Sequence, residues 1–172
     1  MVELRKIRNS RDLKKIGLMP FLNFINELTR EKAMLLVDTE LTIKQEEEWL
    51  KNQAKDIDSG NIIQFVLFVD GKLAGNCEAR RGKLKEKYNV HFGIAILKLH
   101  RGKGYGERML KKCMEEAMER FKPHKMWIEH LDGNEPAAAL YKKLGFVEIA
   151  RLNEYTNHFG EWRDKVLMEW RG

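Results

Sequence analysis

Three alternating glycines, Gly102, Gly104 and Gly106, follow an apolar β-type segment and open a strongly amphipathic helical pattern. Glycine lets the backbone adopt positive φ angles and approach a ligand closely. The unpaired N–H groups at a helix start, with the helix dipole behind them, are good donors to phosphate oxygens. The stretch therefore predicts an anion-binding turn for a phosphorylated ligand.

The spacing of this glycine loop argues against two common nucleotide-binding motifs. Gly106 is followed by Glu107 and Arg108, so the lysine and the hydroxyl of a Walker loop are absent. A dinucleotide fingerprint needs G-x-G-x-x-G near a first strand, whereas this chain has G-x-G-x-G late in the sequence. Taken alone, the motif is also compatible with a plain glycine-rich turn between a strand and a helix.

A second motif lies further along the chain and reads N-E-P-A-A-A-L-Y-K-K-L-G-F from Asn134 to Phe146. Asn134 is a good helix cap, Pro136 suits a first helical turn, and Gly145 is placed to end the helix. On its own, the segment indicates a short, well-capped helix.

Together and in this order, the two motifs resemble those of the GNAT superfamily of N-acetyltransferases. Arg101, Gly104 and Gly106 match the acyl-CoA pyrophosphate loop of that family, R/Q-x-x-G-x-G/A. The segment from Asn134 is similar to the later signature N-x-x-A-x-x-L-Y-x-x-x-G-F. The resemblance covers nearly the whole chain and is nearest to the ribosomal-protein N-terminal acetyltransferases. It implies acetyl-CoA as the co-substrate.

The resemblance also implies roles for particular residues. The pantetheine arm would lie along main-chain groups of the fourth strand, and the diphosphate would lie on the amides of the glycine loop. The residues so assigned are Ile94, Ala95, Ile96, Arg101, Gly102, Lys103, Gly104, Tyr105 and Gly106. Asn134 would bond to main chain or cofactor, although a simple helix cap looks identical in sequence. Tyr141 would protonate the leaving thiolate, with packing over the cofactor as the alternative.

The acceptor amine needs a proton acceptor, because an ammonium group cannot attack a thioester. Four residues are candidates for this base: Glu78, His91, Glu129 and His130. The resemblance favours Glu129, which lies five residues before Asn134, as the general-base glutamate does in ribosomal-protein N-terminal acetyltransferases. Because side chains alternate along a strand, we expect His130 to face away from Glu129.

Periodicity and turn signals predict the elements that position these residues. Asp70-Gly71 predicts a two-residue hairpin, Thr42 with Gln45 predicts a capping box, and Ser10 is expected to cap a short helix that ends near Gly17. The predicted order is β-α-α-β-β-β-α-β-α-β-β. Besides a fourth strand that ends before the glycine loop, strands are expected over 2–8, 62–69, 72–79, 125–131, 146–150 and 165–170.

The expected fold is therefore α+β, with a mixed and mostly antiparallel twisted sheet of about six to seven strands flanked by helices. The family resemblance adds a splayed acyl-CoA cleft between strands 4 and 5. With 172 residues, the chain is expected to form a single N-acetyltransferase domain over 1–172.

Composition limits the other functional classes. The chain has no signal-peptide pattern and no apolar run of the ~18 residues needed to cross a membrane, so a cytoplasmic location without a membrane partner is expected. Cys77 and Cys113 cannot form a disulfide framework and have no metal-ligand spacing, so no metal site is expected. The formal charge of +6 suits either nucleic acid or the phosphates of CoA. The basic run 80–87 has no interleaved aromatic residue, and no nucleic-acid partner is expected.

The sequence thus predicts an acetyl-CoA-dependent N-acetyltransferase whose acceptor amine attacks the thioester directly. A protein or peptide N-terminus is modestly favoured as the acceptor, because the spacing of Glu129, Asn134 and Tyr141 resembles the ribosomal-protein enzymes. A small amine or polyamine is the alternative acceptor. An alternative of another class is a non-catalytic acyl-CoA-binding regulatory domain, and a nucleic-acid-binding module is the third. A homodimer stays open.

Overall fold

The computed structural model describes residues 1–172, which form one seven-stranded sheet flanked by five α-helices. The strands are β1 (Val2–Ile7), β2 (Ile62–Val69), β3 (Lys72–Arg81), β4 (Asn89–Ile96), β5 (Lys125–Leu131), β6 (Phe146–His158) and β7 (Glu161–Trp170). The helices are α1 (Ser10–Ile16), α2 (Leu18–Arg30), α3 (Ile43–Asp58), α4 (Tyr105–Phe121) and α5 (Glu135–Lys143).

The sheet order β1-β2-β3-β4-β5-β7-β6 contains one parallel pair, β4 with β5, and is otherwise antiparallel. Pairing between these two strands runs only from Asn89 to Phe92 on β4 and from Lys125 to Ile128 on β5. Beyond Phe92 the two strands separate, while β4 stays paired with β3 as far as Ile96. The predicted fold class and the predicted splay are confirmed.

Each face of the sheet is covered by its own apolar layer. Helices α4 and α5 cover one face, where Met109 and Leu110 pack with buried strand residues such as Phe92 and Ile128. Helices α1, α2 and α3 cover the other face, where Phe21 and Leu28 belong to a second buried group. The splay therefore opens between two packed layers, and ligand groups can reach it from either face.

Local caps fix the ends of the helices next to the site. The Thr42 hydroxyl accepts a hydrogen bond from the Gln45 N–H at 3.3 Å, and the Gln45 side chain accepts one from the Thr42 N–H at 2.9 Å, which confirms the capping box. The Asn134 side chain accepts from the Ala137 N–H at 3.4 Å and caps α5.

The structure corrects four details of the predicted elements. The cap of α1 is Asn9, not Ser10, since the Asn9 side chain accepts from the N–H groups of Arg11 and Asp12. Three helices, not two, lie between β1 and β2, because Gly17 breaks the first helical stretch. Strand β3 runs to Arg81. Strands β6 and β7 are longer than predicted: β6 continues to His158 and β7 begins at Glu161, on either side of Gly160.

The length of β6 escaped prediction because two register shifts interrupt the alternation of its side chains, between Glu148 and Ala150 and between Leu152 and Thr156.

None of the helices combines the length and the apolarity that crossing a bilayer requires.

Candidate active site

The glycine loop lies between the end of β4 and the start of α4 and presents main chain to solvent. Gly102 and Gly104 have φ angles of +72° and +78°, and a Cβ at either position would meet no heavy atom within 4 Å. Gly104 caps α4 without any side-chain hydrogen bond. The first N–H groups of α4 are therefore free to donate to an anion in the open space above the loop.

Gly106 has a different role, because it lies inside the first turn of α4. A Cβ there would come within 3.3 Å of Leu140 Cδ2 and 3.5 Å of Ile96 Cδ1. The missing side chain thus lets the end of β4, the start of α4 and the middle of α5 pack closely together. This packing connects the loop to the helix that carries Tyr141.

The Arg101 side chain ties the loop to the end of β4 and to Glu31 through hydrogen bonds. Its Nε donates to the Ile96 carbonyl oxygen at 2.7 Å, and one of its terminal nitrogens donates to the Glu31 carboxylate at 2.9 Å. The same carboxylate accepts the N–H of Lys98 at 2.9 and 3.0 Å. The guanidinium group is thus bonded to the protein itself, so the geometry favours main-chain amides over the Arg101 side chain as anion donors. Lys103 is exposed in the loop, and Tyr105 packs partly into the apolar layer beneath it.

The splay begins where Gly93 follows the last paired residue of β4. Ile94 and Ile96 pack into the layer under α4, whereas Ala95 packs into the layer under α1–α3. The side chains of these residues are turned into the two layers, and the strand edge between them has no β5 partner. An extended ligand chain can lie along this edge and bond to the main chain.

Tyr141 borders the splay on the α4–α5 face. Its side chain is 4% exposed, and its ring centroid lies 6.3 Å from that of Phe146 and 6.0 Å from that of His130. Burial raises the pKa of the Tyr141 hydroxyl above its ordinary value of 10, and the nearby Cys77 and Glu129 raise it further. The hydroxyl is therefore protonated at neutral pH.

The opposite face of the splay is polar and carries three of the four predicted base candidates. Residues directly opposite in the sheet share a face: Arg80 pairs with His91, His91 with Trp127, and Glu78 with Gly93. Glu129, two residues after Trp127, lies on this same face. Its Oε1 is 3.2 Å from the Lys165 Nζ, in an ion pair that is mostly enclosed.

Glu78 is held by a buried polar network between β2, β3 and α3. The Gln53 side-chain amide donates to the Glu78 carboxylate at 2.7 Å and to the Gln64 carbonyl at 3.3 Å, and Gln64 donates to Asn76 at 2.7 Å. Arg80 donates to the Gln53 carbonyl at 2.9 Å and pairs with Asp56 at 2.6 Å. This network fixes the orientation of Glu78 and binds α3 to the sheet.

His130 faces the other way, as the strand alternation predicts. Its ring lies near Tyr141, and its Nδ1 is 2.9 Å from the Leu131 carbonyl oxygen. His130 is therefore removed from the polar face that carries Glu129, His91 and Glu78.

Sequence reasoning missed Lys165 and the glutamine network. Gln64 could have been found, because it is the one polar residue in the otherwise apolar segment I-I-Q-F-V-L-F-V and is fully buried in the structure. Lys165 left no such signal, since a lysine in an exposed strand pattern is common and its partner lies far along the chain.

Comparisons with known proteins place this arrangement in a family. Residues 24–146 match the model of the acetyltransferase (GNAT) family. An N-alpha-acetyltransferase from Sulfurisphaera tokodaii is 32% identical over 113 residues, which cover 60% of this chain and 66% of that protein. An L-amino acid N-acyltransferase from Escherichia coli is 29% identical over 83 residues, which cover 48% of each. The chain thus spans about half to two thirds of the length of these curated relatives.

A solved structure shows the same fold over almost the whole chain. An acetyltransferase from Salmonella typhimurium, solved with its cofactor acetyl-CoA, superposes with a TM-score of 0.79 at 20% identity. The match covers 98% of this chain and 92% of that one.

Proposed function

Since this chain belongs to the GNAT acetyltransferase family, we propose that it transfers an acetyl group from acetyl-CoA to a primary amine. The observation that carries the proposal is the splay beyond Phe92, with Tyr141 on one face and Glu129 on the other. The open glycine loop lies at the end of the same strand. Two-sided access suits a reaction in which the thioester and the amine arrive from opposite faces.

Acetyl-CoA supplies the acetyl thioester, and the protein would hold it mainly with main chain. The amides of Gly102–Gly106 would donate hydrogen bonds to the diphosphate oxygens, and the free edge at Ile94, Ala95 and Ile96 would hold the pantetheine arm. Asn134, whose side chain caps α5, would keep that helix and its tyrosine at the splay. An N–H of β4 would stabilise the oxyanion as the amine adds to the carbonyl carbon.

Two side chains would move the protons. Glu129 would accept the proton of the acceptor amine, and Tyr141 would give its proton to the departing thiolate. That second transfer is uphill by roughly 2 kcal/mol for an unperturbed tyrosine and thiol, whose pKa values are ~10 and ~8.5. A concerted transfer avoids a free thiolate and a free phenolate in this enclosed site, where burial destabilises both anions.

The acceptor that we favour is the α-amine of a protein or peptide. The likeness to an N-alpha-acetyltransferase supports this choice, and the likeness to an L-amino acid N-acyltransferase supports a free small amine as the second candidate. An α-amine with a pKa near 8 is about one tenth neutral at pH 7, whereas an alkylamine is less than about a thousandth neutral. The single-domain organisation, the cytoplasmic location and the homodimer stay predictions.

The test is thiol release from acetyl-CoA across a panel of peptide N-termini, free amino acids and polyamines. Acetylation of at least one amine is expected, with the product identified by mass. Binding of acetyl-CoA without thiol release for any amine would instead support the non-catalytic alternative.

The role of Glu129 is tested by Glu129→Gln with the best amine of that panel. We expect a fall in kcat/KM of about 10²-fold and a change in the acidic limb of its pH profile. The matched control is Glu169→Gln, which removes another lysine-paired glutamate, 2.6 Å from Lys125, on the same face but away from the splay. Equal profiles for Glu129→Gln and wild type would remove Glu129 from the proton route.

A further inference from the structure

His91, on β4, has a buried ring nitrogen that forms no hydrogen bond. Its Nε2 is buried and forms no hydrogen bond, although buried polar atoms are nearly always bonded. The ring stacks on Trp127 with centroids 4.2 Å apart, so aromatic packing fixes its plane. Such a nitrogen is ready to bond to a water molecule or to a ligand that enters the site.

Charged groups surround this ring from three strands. Glu78 and Arg80 face it from β3, Glu129 from β5 and Lys165 from β7. Arg80 is already paired with Asp56 from α3, and Lys165 is paired with Glu129. Burial lowers the pKa of His91 below its ordinary 6.5, and the two carboxylates oppose that shift only in part. The ring is therefore neutral at pH 7 and can accept a proton.

Space for a bridging molecule exists beside the ring. Gly93, two residues further along β4, points to the same face, and a Cβ there would meet only the Glu78 side chain, at 3.8 Å. A side chain at this position would fill the gap between Glu78 and the start of the splay. The glycine leaves that gap open where the pairing of β4 with β5 ends.

Glu129 must give up the amine proton in every turnover, because the next amine needs the charged carboxylate. That carboxylate lies 3.2 Å from the Lys165 ammonium, which is only 14% exposed. Removing one partner of an enclosed ion pair is unfavourable, since the other charge stays poorly solvated. A proton that reaches Glu129 therefore needs a further acceptor nearby.

We propose that His91 is this further acceptor and relays the amine proton from Glu129 to solvent. The inference rests on the proposed acetyl transfer and names a residue of its proton route. The N–H bond of the attacking amine breaks as an O–H bond forms on Glu129. That O–H bond then breaks as an N–H bond forms at Nε2 of His91, directly or through one water, and the imidazolium releases its proton to water. Glu129 regains its charge and its pairing with Lys165, and the positive ring is stabilised meanwhile by the two carboxylates.

The test uses His91→Phe, which keeps an aromatic ring on Trp127 and removes both nitrogens. We expect kcat to fall about 10²-fold while KM for acetyl-CoA changes little, because the lost group acts on a proton and not on binding. In wild type, the acidic limb of the kcat profile should follow the depressed pKa of His91, and its midpoint should move in the variant, where only the other groups of the proton route define it. A purely structural role would not move the midpoint.

A second variant and a control separate the relay from folding. His91→Ala should regain part of its rate on addition of imidazole, which restores a proton acceptor in the vacated space. The control is His124→Phe, an exposed histidine just before β5, which should keep the wild-type kcat and pH profile. Should His91→Phe not fold, His91→Ala decides by rescue.

Failure of the His91 relay and failure of the acetyl-transfer proposal give different results. Wild-type kcat with an unmoved acidic limb in His91→Phe, or a folded His91→Ala that imidazole does not accelerate, would overturn the relay. The acetyl-transfer proposal would survive either result. Absence of thiol release in wild type with every amine would instead overturn the acetyl-transfer proposal.

Discussion

At the scale of single residues, Tyr141 is the side chain whose role can be isolated most cleanly. Tyr141→Phe keeps the buried ring against Phe146 and removes only the hydroxyl. We expect kcat to fall roughly 10²-fold or more, since the proposed general acid is lost, while acetyl-CoA affinity measured by calorimetry stays close to wild type. Tyr88→Phe, at an exposed tyrosine, is the control and should leave both kcat and acetyl-CoA affinity unchanged. Normal turnover in Tyr141→Phe would reduce Tyr141 to a packing residue.

Glu46 gives a second prediction at this scale, on stability. It is 3% exposed on α3, and burial raises its pKa to about 7. A carboxyl whose pKa is raised in the folded state favours folding at low pH, and this contribution is lost as the pH rises through 7. Glu46→Gln should therefore unfold with a free energy on the order of 1–3 kcal/mol higher than wild type at pH 8, and the difference should shrink towards pH 5.

Denaturant unfolding of both proteins at pH 5 and pH 8 checks this expectation. Glu47→Gln, at the neighbouring and exposed position of the same helix, should show no such dependence. If wild type and Glu46→Gln change in parallel with pH, the Glu46 carboxyl is not the source of the effect.

Residues that set the local backbone conformation, such as turn glycines and helix caps, could be found from the sequence. Side-chain contacts between neighbouring strands could not. The open loop glycines and the Asn134 cap have local causes, and the structure has both where the local pattern places them. The pairing of Glu129 with Lys165 depends on the register of β5 with β7, which no local pattern fixes. The sequence therefore left four candidates for the base. Only the sheet shows on which of its faces each candidate lies.

At the scale of elements, the glycine loop and the start of α4 form the unit that would bind the anion. Gly104→Val adds a branched side chain at a φ of +78°, which strains the backbone and covers the amides. We expect acetyl-CoA affinity to fall at least about tenfold by calorimetry. The control is Gly71→Val in the β2–β3 hairpin, where φ is also +78° and space is equally open.

Both glycine variants should lose similar stability, because the strain is the same, and only Gly104→Val should lose acetyl-CoA affinity. Unchanged affinity in a folded Gly104→Val would exclude this loop as the diphosphate site.

Element boundaries were predictable where turn chemistry is explicit. The Asp70-Gly71 hairpin and the capping box of α3 have sharp local signals, and the structure confirms both. The extension of β6 to His158 has none, because almost all of its residues after Phe146 are exposed and two register shifts interrupt its pairing with β7. The same irregularity explains why the long β6–β7 hairpin was predicted only at its buried end.

At the scale of the whole molecule, the proposed function depends on one interruption of the sheet between two packed layers. The parallel pairing of β4 with β5 ends at Phe92, and each layer then supplies a different chemistry to the gap. The α4–α5 layer offers the protonated hydroxyl of Tyr141, and the α1–α3 face offers the polar group of Glu78, His91 and Glu129. The separation of the proposed acid and the proposed base onto opposite faces follows from the sheet, not from any single motif.

The most direct test of this account is a crystal structure of the protein with CoA bound. We expect the CoA sulfur in the splay beyond Phe92, in contact with the Tyr141 hydroxyl. We also expect the diphosphate on the amides of Gly102–Gly106, and Glu129 and His91 on the opposite side of the sulfur. CoA bound away from the splay, or a sulfur out of reach of Tyr141, would contradict it.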